Sequence, residues 1–182
     1  MTKQALLLID VQKGFDELYW GTRNNPDAEK NIQKLLNHWR QEARPVIHVR
    51  HCSTEANSPL RSDSSGNNYK QEAEPLDSEK QFDKSVNSAF IGTGLEDYLR
   101  EQDINDLVIV GLTTDHCVST TTRMAGNLGF NVILVSDATA TFNRVGIDGE
   151  DISADEIHRV HLSSLHGEFC TVLTSDNILS LA

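Results

Sequence analysis

Short apolar runs recur along the chain at Ala5–Ile9, Pro45–Val49, Leu107–Leu112, Val132–Val135 and Phe169–Leu173, rich in Val, Ile and Leu. Runs of this length without alternation suit strands buried on both faces. The segments between them change period. Across Asp27–Ala43 the apolar positions Ile32, Leu35, Leu36, Trp39 and Ala43 fall at helical spacing, and Pro26 suits the first helical position. Thr93 with Glu96 forms a capping box that opens a second helix, with Leu95, Tyr98 and Leu99 as its inner face. A third helix is expected from about Cys117 to Leu128, stopped by Gly129. Ser153 and Glu156 cap a fourth, which should bury Ile157, Val160 and Leu165 and end before Gly167.

Buried strands alternating with helices predict an α/β fold, a three-layer α/β/α sandwich around a mostly parallel sheet of Rossmann-like topology. At 182 residues the chain fits one domain, spanning 1–182. Only Ser53–Glu79 breaks the rhythm. It is polar, with Leu60, Tyr69 and Leu76 as its sizeable apolar residues, and it exceeds the usual length of a structureless connection. A lid or a subunit contact is the expected use.

Charge and cysteine content narrow the function classes. A net charge of −11, with no local basic cluster, argues against nucleic acid as a partner. No apolar stretch approaches membrane-spanning length, and the apolar run near the N-terminus is too short for a signal-peptide core, so a cytoplasmic protein is expected. The cysteines are Cys52, Cys117 and Cys170, an odd number with no Cys-x-x-Cys pair, which suggests neither a disulfide framework nor a structural zinc site.

Parallel sheets bind ligands at the carboxyl ends of their strands, and two reactive residues are expected there. Asp10 directly follows the first apolar run, where partial desolvation suits a general base, although a loop-capping role fits equally well. Cys117 follows the third run after the turn Thr113-Thr114-Asp115-His116 and opens a helix, whose N-terminal dipole favours a thiolate; a small buried helix residue is the alternative. Lys84 sits among extended residues in Gln81–Ser85, where a solvated face is the ordinary outcome.

Together these stretches resemble the isochorismatase-like cysteine hydrolases. Leu8-Ile9-Asp10-Val11-Gln12 with Gly14 and Phe15 resembles their opening strand, and Phe82-Asp83-Lys84-Ser85 with Ser88-Ala89-Phe90 their lysine motif. Gly111 to Val118 is similar to their nucleophile motif, and Val135–Ala138 and His166–Phe169 extend the likeness. The resemblance implies a catalytic triad of Asp10, Lys84 and Cys117. It further implies a cis peptide between Leu112 and Thr113, and an oxyanion hole formed by the backbone N–H groups of Thr113 and Cys117. It implies no cofactor, a small-molecule substrate, and a homo-oligomer, dimer or tetramer.

The nicotinamidase metal element, Asp-x-His, is missing from His48-Val49-Arg50-His51-Cys52, so no metal is expected. Phe15, Trp20, His51 and Phe142 are candidate pocket walls. Presence of the cysteine favours hydrolysis of an amide or ureide C–N bond through a thioester. The alternatives are a vinyl ether hydrolase, in which Asp10 acts as the acid, and a non-catalytic binding protein on the same fold.

Overall fold

In a computed structural model describing residues 3–180, six strands form one parallel sheet. They are β1 (Lys3–Ile9), β2 (Val46–His51), β3 (Lys80–Lys84), β4 (Ile104–Leu112), β5 (Asn131–Ala140) and β8 (Thr171–Leu173), in the order β3-β2-β1-β4-β5-β8. A short antiparallel ribbon, β6 (Arg144–Val145) with β7 (Asp151–Ile152), lies outside this sheet. The helices are α1 (Ala28–Gln41), α2 (Leu95–Glu101), α3 (Ser119–Asn127), α4 (Ala154–Leu165) and α5 (Ser175–Ser180).

Alternation along the strands produces the layers, because successive side chains point to opposite faces. Leu6 and Leu8 of β1, with Val108 and Val110 of β4, pack on Ile32, Leu35, Leu36 and Trp39 of α1 and Ile178 of α5. Leu7 and Ile9, with Leu107 and Ile109, turn the other way onto Leu95 and Leu99 of α2, Ala125 of α3 and Leu165 of α4. Both faces are covered, which is the three-layer sandwich. The chain leaves β1 for β2 on one side, and after β3 it crosses to β4 on the other. The topological switch therefore falls between β1 and β4, where a doubly wound sheet opens its crevice.

Details depart from the sequence expectations. β3 was not predicted as a strand, since only Phe82 and Lys84 are turned inward. Helix α2 starts at Leu95, not Thr93; the Thr93 hydroxyl accepts from the Leu95 N–H at 3.2 Å. The run to Leu128 divides into a wide turn, Thr114–Val118, followed by α3. Ser153 does cap α4, accepting from the Glu156 N–H at 3.2 Å. However, α4 buries Ala154, His158 and Leu165 and leaves Val160 49% exposed. The polar His158 takes the inner position because its Nδ1 bonds the Thr114 hydroxyl at 2.8 Å.

A buried charge cluster ties the loop after β1 to α1. Arg23 makes two bonds to Glu29, at 2.7 and 2.5 Å, and Lys70 bridges Glu29 and Asp16 at 2.7 and 2.5 Å. Burial alone would raise the Glu29 carboxyl, but Arg23 and Lys70 outweigh it and hold it at about 2, against an ordinary 4.5. A depressed carboxyl contributes stability above the unfolded pKa and loses it as pH falls through the folded one. The gap corresponds to roughly 3 kcal/mol, to be lost between about pH 4.5 and 2. Urea unfolding at stepped pH checks this: Glu29→Gln should be less stable at pH 7 and flatter across that window.

Candidate active site

The carboxyl ends of β1, β3 and β4 converge on one point. Asp10 directly follows β1 and has a left-handed backbone, φ 51°, a conformation that Asp tolerates better than most residues. Its N–H donates to the Val49 carbonyl at 2.9 Å. Lys84 is the last residue of β3, and its carbonyl accepts from the Cys52 N–H at 2.7 Å. Beyond β4 the Leu112–Thr113 peptide is cis. The Thr113 carbonyl then accepts from the N–H groups of His116 and Val118, both at 3.2 Å, closing the turn that carries Cys117. Gly111 lets β4 come this close: with φ +125°, a Cβ there would lie 2.0 Å from the Ile9 carbonyl oxygen.

Lys84 is the hub. Its side chain is fully buried, and Nζ lies 2.7 Å from Asp10 Oδ2, 3.2 Å from Cys117 Sγ and 3.0 Å from His51 Nδ1. Three N–H donors thus meet three acceptors. Burial disfavours the ammonium, but the Asp10 charge and the hydrogen bonds to Asp10 and Cys117 reverse that, so the Lys84 pKa is raised. His51 is pushed down by burial and then by the Lys84 charge, consistent with a neutral ring accepting from the ammonium. The Cys117 thiol is pushed well up, first by burial and then by Asp10, with Lys84 pulling the other way. This corrects the expectation of a thiolate favoured by a helix terminus. Asp10 Oδ1 is buried without a hydrogen-bond partner among the described residues.

The sulfur opens onto a cavity of about 250 Å³. Phe15, Tyr19 and Trp20 form one wall, with Phe15 and Trp20 rings 4.9 Å apart and the indole N–H held by the Gly14 carbonyl at 2.8 Å. Ser53, Glu55, Ser58 and Leu60, from the polar segment after β2, form another. His51, Asn87, Thr113 and His116 complete the lining. The expected wall residue Phe142 instead stands behind the aromatic face, buried and stacked on Trp20 and Phe15 at 5.8 and 6.2 Å. It buttresses rather than lines. The 53–79 segment is anchored through Gln12, whose amide donates to the His51 and Asn67 carbonyls at 3.0 and 2.9 Å. Gly66 packs so closely on Gly14 and Pro59 that a Cβ would meet the Pro59 carbonyl at 2.4 Å.

Asp115 braces the turn that carries Cys117, accepting from the Thr141 hydroxyl at 2.5 Å and Arg144 Nε at 2.8 Å. Among the described residues, the metal-type donors that cluster are Asp10, His51 and Cys117, within 4.8 Å of one another. The Lys84 ammonium already bonds to all three, so a metal ion would meet a fixed cation there. A larger groove of about 680 Å³, lined by Gln4, Arg44 and Ile104 among others, lies toward the amino ends of β1 and β4 and carries no cysteine.

Comparison with known proteins agrees with this architecture. The isochorismatase domain matches residues 4–177. The chain belongs to the isochorismatase family. Within this family of hydrolases it is 47% identical to the isochorismatase family protein YrdC of Bacillus subtilis, over 98% of this chain and 95% of that one. An isochorismatase-family crystal structure from Chromobacterium violaceum superposes with a TM-score of 0.95 at 46% identity, covering 98% of this chain and 92% of that one. Nicotinamidase 3 of Arabidopsis thaliana is 26% identical over 96% of this chain and 86% of its own.

Sequence reasoning missed several residues of this isochorismatase-family pocket. Asn87, whose Oδ1 lies 3.6 Å from the sulfur, was within reach, since it sits three positions after Lys84. Tyr19, Glu55, Ser58 and Leu60 lie on loops with no periodicity to announce them. Among the described residues, no helix is long and apolar enough to cross a membrane.

Proposed function

We propose that this chain is a cysteine hydrolase that cleaves the C–N bond of a small amide or ureide through a thioester on Cys117. The carrying observation is the position of Lys84 Nζ, 2.7 Å from Asp10 and 3.2 Å from the Cys117 sulfur at the base of a small cavity. Pockets for drug-sized ligands begin at about 300 Å³, so this one suits a small molecule.

As Sγ attacks the substrate carbonyl, its proton passes to Asp10, and the Lys84 ammonium holds both partners. A raised thiol pKa is compatible with this, since activation is coupled to attack. The backbone N–H groups of Thr113 and Cys117 stabilise the tetrahedral oxyanion. Collapse breaks the C–N bond, Asp10 returns the proton to the leaving nitrogen, and an acyl thioester remains. Water then attacks, losing its proton to Asp10. The C–S bond breaks, the acid leaves, and the proton returns to sulfur. The nicotinamidase relative supports cleavage of a C–N bond, and the Ser53–Leu60 stretch acts as the roof over the substrate.

Ammonia release from a panel of small primary amides and ureides tests this, with acid-quenched mass spectrometry of the Cys117 peptide. The expected result is release that ceases after iodoacetamide treatment, together with an acyl adduct on Cys117. Release that continues at full rate with Cys117 completely alkylated would overturn it.

A further inference from the structure

The charges around the cavity carry information about the substrate that the triad does not. Lys84, the cation behind Cys117, is fully buried and bonded to Asp10, His51 and Cys117. Among the described residues, no lysine or arginine lines the cavity. His51 is held neutral by burial and by Lys84. His116 already has a carboxylate partner, Asp115 at 3.5 Å. Against these stands Glu55, whose carboxylate makes no ion pair among the described residues and whose charge is felt at His51. The same lining includes Phe15 and Trp20, their rings 4.9 Å apart, with Tyr19 edge-on to the indole at 4.9 Å.

A substrate carboxylate entering here would lose hydration and meet one negative charge with no unengaged cation. A positively charged group would meet a carboxylate and aromatic rings that attract it, and an uncharged one neither attraction nor repulsion. We propose that the site selects amides bearing a positive charge over neutral ones and excludes anionic ones, with Glu55 as the residue that reads the charge. This rests on the reading of the cavity as the substrate site.

The test uses Cys117 as a reporter and needs no turnover. Aminoethyl, methyl and sulfonatoethyl methanethiosulfonates carry a positive, no and a negative charge. Their rates of modification at Cys117, followed by peptide mass mapping, are each divided by the rate with free mercaptoethanol. The normalised order should be cation, then neutral, then anion. Glu55→Gln should lower the cation-to-anion ratio by roughly fivefold, the scale of one partly exposed charge pair, and Glu55→Arg should invert the order. Circular dichroism verifies that both variants fold. Equal normalised rates in the native protein, or a ratio unmoved in Glu55→Gln, would overturn the inference. If no amide yields ammonia while the charge order holds, the hydrolase reading fails alone; if ammonia is released without a charge order, this inference fails alone.

Discussion

Asp10→Asn is expected to move two measurements on Cys117 in opposite directions. Turnover of the amide substrate should fall on the order of a thousandfold, since Asn can neither take the thiol proton nor return it to the leaving nitrogen. Alkylation by iodoacetamide near neutral pH should become faster. Burial and the Asp10 charge together raise the thiol pKa, while Lys84 favours the thiolate. Removing the negative charge leaves the ammonium 3.2 Å from sulfur as the dominant neighbour, and one unit of pKa is tenfold in thiolate. Lys84→Met should shift the alkylation-versus-pH curve the other way, to higher pH, with turnover lost as well. If Asp10→Asn leaves turnover undiminished, the carboxylate is not the base.

The second large effect concerns stability. Asp10 and Lys84 have no exposed side-chain surface, and their charges are compensated chiefly by one another. Asp10→Leu strands a buried ammonium and Lys84→Met strands a buried carboxylate, each at about 3–5 kcal/mol. The double variant Asp10→Leu with Lys84→Met removes both charges and should recover most of that loss, because apolar replacement of a buried pair is often near neutral. Urea unfolding of the four proteins closes the cycle, and strictly additive losses would mean the two charges are not coupled.

The sheet was legible because its central strands are continuous apolar runs, and the turn from Gly111 to Val118 was legible because its residues are distinctive. Lys84 was harder to place. Its strand reads Lys-Gln-Phe-Asp-Lys, with a polar outer face, and nothing local says that its last side chain turns inward. Val160 looked like a core residue by spacing, yet it is half-exposed while His158 is buried, because a bond to Thr114 outweighed hydropathy at that position. The cysteine's position was readable and its protonation was not. A helix terminus favours the thiolate, but burial and a carboxylate brought from residue 10 decide otherwise, and both are tertiary effects. Phe15 and Trp20 line the cavity as aromatic residues near β1 could, whereas the Glu55 wall depends on how a long polar segment folds back.

Strand β3 lies at the margin of the sheet, five residues long, paired only to β2 and exposed along much of its length. It nonetheless carries Lys84, the hub of the site. Local opening in proteins begins where few buried contacts hold a segment, well before the whole molecule gives way. Detachment of β3 would withdraw the ammonium while leaving the core around β1, β4 and α1 intact. On the proposed function, catalytic competence would follow the local opening free energy of one sheet edge, and in rising denaturant activity should disappear while the buried Trp39 still reports a folded protein.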